Sequence, residues 1–185
     1  MPITKTSKEE IIAEALRVFR KKGYYNTSMS DLATQCGLQK GSFYHYFPSK
    51  EILMAEILKN VNSYLNTKVF SIAFQDQIAP KERMEKMLIR LGKVLLSQEG
   101  GCIAGNTTLE TAGQNTIFKA ILKNIFTDWT NAMKHIFIEV YSENTAQRLA
   151  EQAVMEFEGA VMFSLLFDSD QYLKDVFTRT LGKFK

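Results

Sequence analysis

The segment "SMSDLATQCGLQKGSFYHYFPSK", residues 28–50, has the spacing of two short helices joined by a tight turn. Ser28 and the aspartate three positions later match a helix capping box, and Gly37 is the residue type that ends a helix. A second short helix is predicted for residues 39–47, because Pro48 cannot continue it. Two short helices separated by a glycine turn are typical of the helix-turn-helix motif.

The aromatic part of this segment divides between the two faces of the second predicted helix. Phe43, Tyr46 and Phe47 stand at i, i+3 and i+4, so they share one face and are expected to pack against the other helices. The residues that fall outside this face are expected to point outward: Lys40, Ser42, Tyr44 and His45. Gly41, near the start of the helix, removes a side chain where a partner must approach closely. Half of the segment is therefore core and half contact surface, which is the division that a DNA-reading helix needs.

Helices are also predicted on both sides of this segment. Ser7 and Glu10 form another capping-box pattern ahead of apolar residues at helical spacing, and Gly23 ends that helix. Ser49 caps a longer amphipathic helix, and helical periodicity continues to the end of the chain. No alternation typical of strands appears, so the sequence predicts an all-α protein.

The composition is that of a soluble globular chain, with 45% hydrophobic and 23% charged residues among 185. No apolar run approaches the ~18 residues that span a bilayer, and no signal peptide is predicted. With only two cysteines, Cys36 and Cys102, the expected compartment is the cytoplasm. Residues 1–60 hold nine Lys/Arg against six Asp/Glu, whereas residues 61–185 are balanced. The basic surplus lies in the helix-turn-helix third and permits a polyanionic partner.

The glycines, polar residues and aromatics of the first third fall in one register: Gly23, Asp31-Leu32-Ala33, Gly37, Lys40-Gly41, Tyr44, Phe47 and Lys50. In this register the run from Ser7 to Leu58 resembles the N-terminal domain of TetR-type bacterial transcriptional regulators. Cys36 departs from the pattern, since alanine is commoner there in the family. The resemblance implies a helix-turn-helix DNA-binding domain at residues 1–48. It also implies a helical bundle for effector binding and dimerisation at residues 49–185.

The resemblance implies a homodimer on an operator with two half-sites, with the second helix of the motif in the major groove. Gln39 and Lys40, at the start of that helix, are candidates for reading bases, since glutamine prefers adenine and lysine guanine. Ser42 is expected to contact a base or a phosphate beside Gly41. Phosphate contacts are expected from five further residues: Thr27, Ser28, Tyr44, His45 and Lys50. For His45 the alternative is an exposed residue without a contact.

An effector pocket is expected between the middle helices, where bundle proteins bind ligands. The predicted wall residues are aromatic residues and methionines: Tyr64, Phe70, Phe74, Met84, Met87, Phe118, Phe126, Trp129 and Met133. Each of them also fits an ordinary core position. Their concentration in this region favours a cavity for a flat or apolar compound.

Two late helices are predicted to form the dimer interface, because small residues stand beside large ones on one broad stripe. The predicted interface residues are Leu149, Ala153, Phe157, Ala160, Val161, Tyr172 and Val176. A twofold dimer must bury matching patches, and these are the most apolar C-terminal elements. Intrachain core is the alternative interpretation of the stripe.

Cys102 follows a double glycine, and two interpretations of it stay open. The first is a small buried residue after a helix stop. The second is a thiol that senses electrophiles or oxidants, since a position near a helix start favours the thiolate. The local sequence, with Glu110 downstream, is similar to a TetR-type subgroup that senses reactive electrophiles.

The motifs of common enzyme classes, HExxH, GxSxG, CxxC and Walker patterns, do not occur in the sequence. The two histidines, His45 and His135, give no metal cluster by spacing, so no catalytic residue, metal or cofactor is expected. The predicted function is a repressor released from operator DNA by a small apolar or aromatic ligand. The alternatives are thiol-based sensing at Cys102, a DNA-binding dimer without effector control, and a small helical enzyme.

Overall fold

The computed structural model describes residues 7–96 and 100–184, which form nine α-helices, one 3-10 helix and no β-strand. The α-helices are α1 Lys8–Lys22, α2 Met29–Gln35, α3 Lys40–Tyr46, α4 Lys50–Lys68, α5 Pro80–Leu96, α6 Ile103–Thr111, α7 Thr116–Phe137, α8 Glu143–Leu166 and α9 Gln171–Leu181. The 3-10 helix, Phe70–Phe74, lies between α4 and α5. The predicted all-α fold is confirmed. None of the helices described is both long and apolar enough to cross a membrane.

Both predicted capping boxes are present. The Ser7 hydroxyl accepts the N–H of Glu10 at 3.1 Å, and the Glu10 carboxylate accepts the N–H of Ser7 at 2.8 Å. At the start of α2 the Ser28 hydroxyl accepts the N–H of Asp31 at 3.1 Å, and the Asp31 carboxylate accepts the N–H of Ser28 at 2.9 Å. These reciprocal bonds satisfy helix N–H groups that have no partner within the helix.

The turn between α2 and α3 depends on Gly37, whose φ is +65°. The N–H of Leu38 donates to the carbonyl of Ala33 at 2.9 Å, and the N–H of Gly37 donates to that of Thr34 at 3.1 Å. This bonding pattern is the Schellman motif, which needs a residue that tolerates positive φ. It fixes the direction in which the chain enters α3.

The described residues divide into two compact units. The first extends to Val61 and also includes Ile103–Leu122, so it contains α1 to α3, most of α4, α6 and the start of α7. Its core is apolar and includes Ile11, Phe19, Leu32, Phe43, Phe47, Leu53 and Ile57. The packing therefore divides the chain differently from the predicted boundary at residue 48, because α6 packs on α1 and the apolar face of α4 is buried here.

The second unit comprises Asn62–Cys102 and the residues from Lys123 onward. Within it α8 packs on α9, and α5 packs on α9 and on the 3-10 helix. Its core contains methionine and aromatic side chains, among them Met84, Met87, Trp129, Met133, Phe137 and Phe157. Gly92 permits the contact of α5 with α9, since a Cβ there would lie 2.8 Å from the Cζ atom of Phe177.

An ion-pair cluster ties three segments of the second unit together. The guanidinium of Arg83, fully buried on α5, donates to the carbonyl of Ala73 and to the carboxylate of Asp76, both at 2.7 Å. It also pairs with the carboxylate of Glu139, just beyond the end of α7. A buried guanidinium needs such partners, because an unpaired charge in the interior is costly.

Candidate nucleic-acid interface

Helix α3 presents two different faces. Phe43 and Phe47 are buried, with ring centroids 6.4 Å apart, and Tyr46 is half-buried beside them. The remaining side chains are exposed: Gln39, Lys40, Ser42, Tyr44 and His45. Within residues 7–96 and 100–184, none of these five side chains makes a hydrogen bond or an ion pair. The outward face is therefore a row of polar groups that are free to meet an external partner.

Gly41 lies in the middle of this face. A Cβ added to it would have no atom of the described chain within 4 Å, and its φ is outside the left-handed region. Neither the packing nor the backbone of the chain requires a glycine at this position. Because a helical glycine destabilises a chain relative to alanine, its presence here agrees with the close approach of a partner.

The hydroxyl groups of Thr27 and Ser28 are engaged inside the chain. Thr27 is 1% exposed, and its hydroxyl donates to the carbonyl of Gly23 at 2.7 Å. Its burial removes the side chain from the surface, so only the backbone of Thr27 is left for the predicted phosphate contact. The Ser28 hydroxyl donates to the Asp31 carboxylate at 2.6 Å, and these bonds to Ser28 lower the pKa of Asp31. Ser28 is exposed, so its backbone stays at the surface.

Lys50, which was predicted to contact a phosphate, makes two hydrogen bonds within the chain. Its ammonium donates to the carbonyls of Tyr24 at 2.7 Å and Thr27 at 2.8 Å, and lies 4.3 Å from the centroid of the Tyr24 ring. Burial lowers the pKa of Lys50, and the carboxylate of Glu110 acts in the opposite direction. Two of its three donors are therefore used to hold the turn between α1 and α2, and no local pattern in the sequence indicates this contact.

Glu110, at the end of α6, contacts the same turn with the opposite charge. Its Oε2 atom accepts the N–H groups of Tyr24 at 2.8 Å and Tyr25 at 3.2 Å. A Cβ on Gly23 would lie 2.8 Å from the other carboxylate oxygen, so only a glycine leaves room for this contact. This role of Glu110 was not predicted, because the partners are 86 positions apart in the chain.

The residues predicted to line an effector pocket do not all belong to one unit. Phe118 lies in the first unit, where its ring meets that of Tyr24 edge-on at 5.1 Å. Five of the others are buried in the second unit: Phe70, Met84, Met87, Trp129 and Met133. Phe126 is half-buried, whereas Tyr64 and Phe74 are each 53% exposed.

Trp129 is the centre of the aromatic cluster in the second unit. Its ring lies 6.4 Å from those of Phe70 and Phe126 and 5.7 Å from that of Phe157. The side chain is 2% exposed, yet its indole N–H has no acceptor in the described part of the chain. A buried N–H without an acceptor is unfavourable, so this group marks a point where an external acceptor would be stabilising.

Cys102 is half-buried and its thiol is hydrogen-bonded to the carboxyl group of Glu158. Burial raises the pKa of Glu158, and the bond to the thiol only partly offsets this. The Oε1 atom of Glu158 is buried and has no partner among residues 7–96 and 100–184. The thiol thus lies beside a carboxyl group that holds its proton more strongly than usual.

The stripe predicted as the dimer interface is mostly core of the second unit. Five of its residues are buried in the single chain: Ala153, Phe157, Ala160, Val161 and Val176. Leu149 and Tyr172 are half-buried. The side chains of the buried residues pack within the single chain, where α9 covers that face of α8, and this corrects the expectation that they are exposed for a partner. The opposite face of α8 is apolar and exposed, with Met155, Met162 and Leu166 at 67%, 54% and 69%.

Asp76, His135 and Glu139 bring three ligand-type atoms within 4.8 Å of one another. Residue spacing offered no indication of this group. Arg83 already binds both carboxylates, and the His135 Nε2 atom lies 3.0 Å from Asp76. The hydrogen bond to His135 is the main cause that lowers the pKa of Asp76. The three side chains therefore complete the ion-pair cluster of Arg83.

Two family profiles match the chain. Residues 11–57 match the bacterial regulatory proteins of the tetR family, and residues 80–179 match the C-terminal domain of LmrA/YxaF-like transcriptional regulators. The first match covers the helix-turn-helix and its neighbouring helices. The second covers more than half of the chain and includes α5 to α8 and most of α9.

Individual relatives extend over almost the whole chain. The chain is 24% identical to the HTH-type transcriptional repressor DhaR of Mycobacterium sp. (strain GP1), over 94% of this chain and 92% of DhaR. It is 25% identical to the transcriptional regulator AcuR of Cereibacter sphaeroides, over 98% and 86%. A crystal structure of a TetR transcriptional regulator from Legionella pneumophila superposes with a TM-score of 0.89 at 22% identity, over 100% of both chains.

Proposed function

The chain belongs to the TetR family of bacterial transcriptional regulators, and we propose that it is a homodimeric repressor released from its operator by a small ligand. Repression is supported by the similarity of this chain, over almost its full length, to the transcriptional repressor DhaR. The partners in this proposal are double-stranded DNA, a second copy of the chain and the effector. The cytoplasm is the proposed compartment, since the operator is there.

The observation that carries the DNA-binding part is the outward face of α3, whose five exposed polar side chains have no partner in the described part of the chain. We assign base reading to Gln39 and Lys40, which stand at the start of the helix that enters the major groove. Ser42, Tyr44 and His45 follow as contacts to a base or to phosphates. Gly41 between them lets the backbone come close to the duplex.

Selection of bound sequences from random duplex DNA tests this assignment, since a twofold symmetric operator is expected. Gln39→Ala and Lys40→Ala should change which bases are preferred, each by about 1–3 kcal/mol of discrimination. Tyr44→Phe should weaken all sequences together, because a phosphate contact carries no sequence information. Equal losses on every single-base operator variant for both Gln39→Ala and Lys40→Ala would remove these residues from base reading.

The ligand part of the proposal rests on the unpaired indole N–H of Trp129 among aromatic rings. A flat, largely apolar compound with one hydrogen-bond acceptor fits this environment, since its rings stack and its acceptor satisfies the N–H. Phe70, Phe126, Met84, Met87 and Met133 are the proposed neighbours. Tyr64 and Phe74, half exposed, are proposed at the rim.

A thermal-shift screen of aromatic carbonyl compounds tests the ligand proposal, since a compound that binds the native state stabilises it. Trp129→Phe keeps the aromatic ring and removes only the donor, so it should weaken the best compound about tenfold while sparing operator binding. If Trp129→Phe and the wild type bind every screened compound equally well, the indole is not part of the site.

Thiol-based sensing at Cys102 is the second candidate, and it is favoured by the carboxyl group of Glu158 beside the thiol. On this proposal the sulfur adds to the β-carbon of an α,β-unsaturated carbonyl compound. The C=C π bond breaks, and the thiol proton passes through Glu158 to the α-carbon. Mass spectrometry after treatment with acrolein should show the adduct at Cys102, with slower addition in Glu158→Gln. Addition at Cys36 instead would contradict the proposal.

A further inference from the structure

The turn between α1 and α2 is held from two sides by opposite charges. The ammonium of Lys50 binds its carbonyls, at Tyr24 and Thr27, whereas the carboxylate of Glu110 binds its N–H groups, at Tyr24 and Tyr25. We call this pair of side chains around residues 23–27 the clamp. Both members use charge-assisted hydrogen bonds, which are stronger than neutral ones.

The clamp stands directly before the reading elements in the chain. Thr27 precedes Ser28, the N-cap of α2, and the Gly37 turn then sets the entry into α3. The position of the turn therefore determines where α2 begins, and through α2 where the exposed face of α3 points. Glu110 acts on this position through its hydrogen bonds to the backbone N–H groups of the turn.

Other contacts also hold the end of α6 against this turn. The Tyr25 hydroxyl donates to Gln114 at 2.7 Å, and the Tyr24 ring packs edge-on against Phe118. Asn115 donates to the carboxylate of Glu51 on α4 at 2.5 Å. Residues from the end of α6 to the start of α7 thus contact both the turn and α4, all within the first unit.

We propose that Glu110 is a positioning residue for DNA binding, which makes the placement of the recognition helix depend on α6. This inference rests on the proposed function and adds a determinant outside the helix-turn-helix itself. Without the carboxylate, the turn would sample several positions, of which only one matches the major groove. Binding would then have to order the turn, which lowers affinity without altering base preference.

Three variants of the full chain test the proposal: Glu110→Ala, Glu110→Gln and, as a control, Leu109→Ala. Leu109 is the neighbouring α6 residue and is 86% exposed, so its truncation leaves the clamp intact. Glu110→Ala should bind the selected operator about tenfold more weakly, which corresponds to about 1.4 kcal/mol. Glu110→Gln should lose less, since its amide oxygen still accepts an N–H, and Leu109→Ala should bind as the wild type does.

Two readouts separate positioning from a general loss of stability. The loss for Glu110→Ala should be the same on every single-base operator variant and should persist well below its unfolding midpoint. Amide hydrogen exchange at Tyr24 and Tyr25 should accelerate in Glu110→Ala more than in Glu110→Gln, with little change in α3. Wild-type operator affinity in folded Glu110→Ala would overturn the proposal, as would unchanged exchange at these two amides.

The same measurements distinguish this inference from the proposed function. If the wild type selects no sequence from random duplex DNA, the regulator proposal fails, and with it the role of Glu110 in DNA binding. If the wild type binds an operator and all three variants bind it equally well, only the positioning role fails.

Discussion

At position 41 a glycine stands inside a helix where the described chain has open space for a side chain. We expect Gly41→Ala to raise the free energy of unfolding by about 0.5–1 kcal/mol, because alanine suits a helix better than glycine. The same methyl group should weaken operator binding, since it enters the gap between α3 and the duplex. Chemical denaturation and fluorescence anisotropy with labelled operator measure the two effects.

Gly113→Ala is the matched control for this variant, since a Cβ there also meets no atom within 4 Å. It should leave operator affinity unchanged. Operator affinity of Gly41→Ala equal to that of the wild type would show that no close approach occurs at position 41.

Asp31 makes the stability of the motif depend on pH. Its hydrogen bonds with Ser28 hold its pKa below the ordinary value of 3.8. A depressed folded-state pKa contributes stability above the unfolded value, and this is lost as the pH falls through the folded value. Asp31→Asn should therefore be less stable than the wild type at neutral pH, and the difference should shrink in acid below pH 3.8.

Urea denaturation across this pH range measures the difference for Asp31→Asn. The same comparison in a Ser28→Ala background should show a smaller pH dependence, since the main partner of the carboxylate is gone. A difference that stays constant from neutral pH into acid would contradict the role of the charge.

Among the elements, Arg83 on α5 is a buried side chain that bonds to the 3-10 helix, to Asp76 and to Glu139 just beyond α7. Replacing it with methionine, of similar length, removes its bonds to Ala73, Asp76 and Glu139. Asp76 and Glu139 are partly exposed, so water can hydrate their carboxylates in the variant. The free energy of unfolding should therefore fall by about 2 kcal/mol, which is less than the cost of an unpaired charge that is fully buried. Denaturant unfolding monitored by Trp129 fluorescence measures it.

Arg90→Met is the control on the same helix, because Arg90 is exposed and donates to the carbonyl of Lys68 at 2.7 Å. Arg90→Met should lower the free energy of unfolding much less than Arg83→Met does. Equal losses for the two variants would mean that the cluster adds nothing beyond an ordinary surface bond.

The elements themselves were predictable where their signals are local. Such signals depend on residues within one or two helical turns of each other. They include the capping boxes at Ser7 and Ser28, the Gly37 turn and the start of α5 at Pro80. The exposed face of α3 was predictable for the same reason, since helical spacing separates Phe43 and Phe47 from the rest. The 3-10 helix, Phe70–Phe74, was not predicted, because its five residues carry neither a capping pattern nor a helical repeat of their own.

Side chains whose partners are distant in sequence were not predictable. Lys50 was predicted to contact phosphate because its type and position fit, yet its partners lie 23 and 26 positions earlier in the chain. The clamp contact of Glu110 and the ion-pair cluster of Arg83 were not predicted for the same reason, because their partners are also distant in the sequence. Periodicity also cannot decide which of two apolar faces of a helix is covered within its own chain, and α8 has two.

For the whole molecule, the correction at α8 moves the proposed dimer interface to its exposed face. Met155, Met162 and Leu166 stand at i, i+7 and i+11, which is one side of the helix, and Phe163 and Phe167 extend the apolar surface. Gly159 lies on the same side, and a Cβ there would meet nothing within 4 Å, so a partner helix has room to approach. Such an exposed apolar surface is typical of a contact site.

Met162→Arg therefore tests the dimer directly, because the side chain is 54% exposed in the single chain and its replacement should not disturb folding. In a twofold interface the charge enters twice, near the axis or at two symmetric points, without a partner to neutralise it. An unpaired charge in an apolar seam costs about 3 kcal/mol or more, so the dimer should dissociate at more than about 100-fold higher concentration. Sedimentation velocity measures the change.

Ile89→Arg, at an apolar α5 position that is 49% exposed, is the matched control and should sediment as the wild type does. Operator affinity should fall with dimerisation in Met162→Arg, since two linked recognition helices bind far more tightly than one. A folded Met162→Arg that still sediments as a wild-type dimer would exclude this face of α8 as the interface.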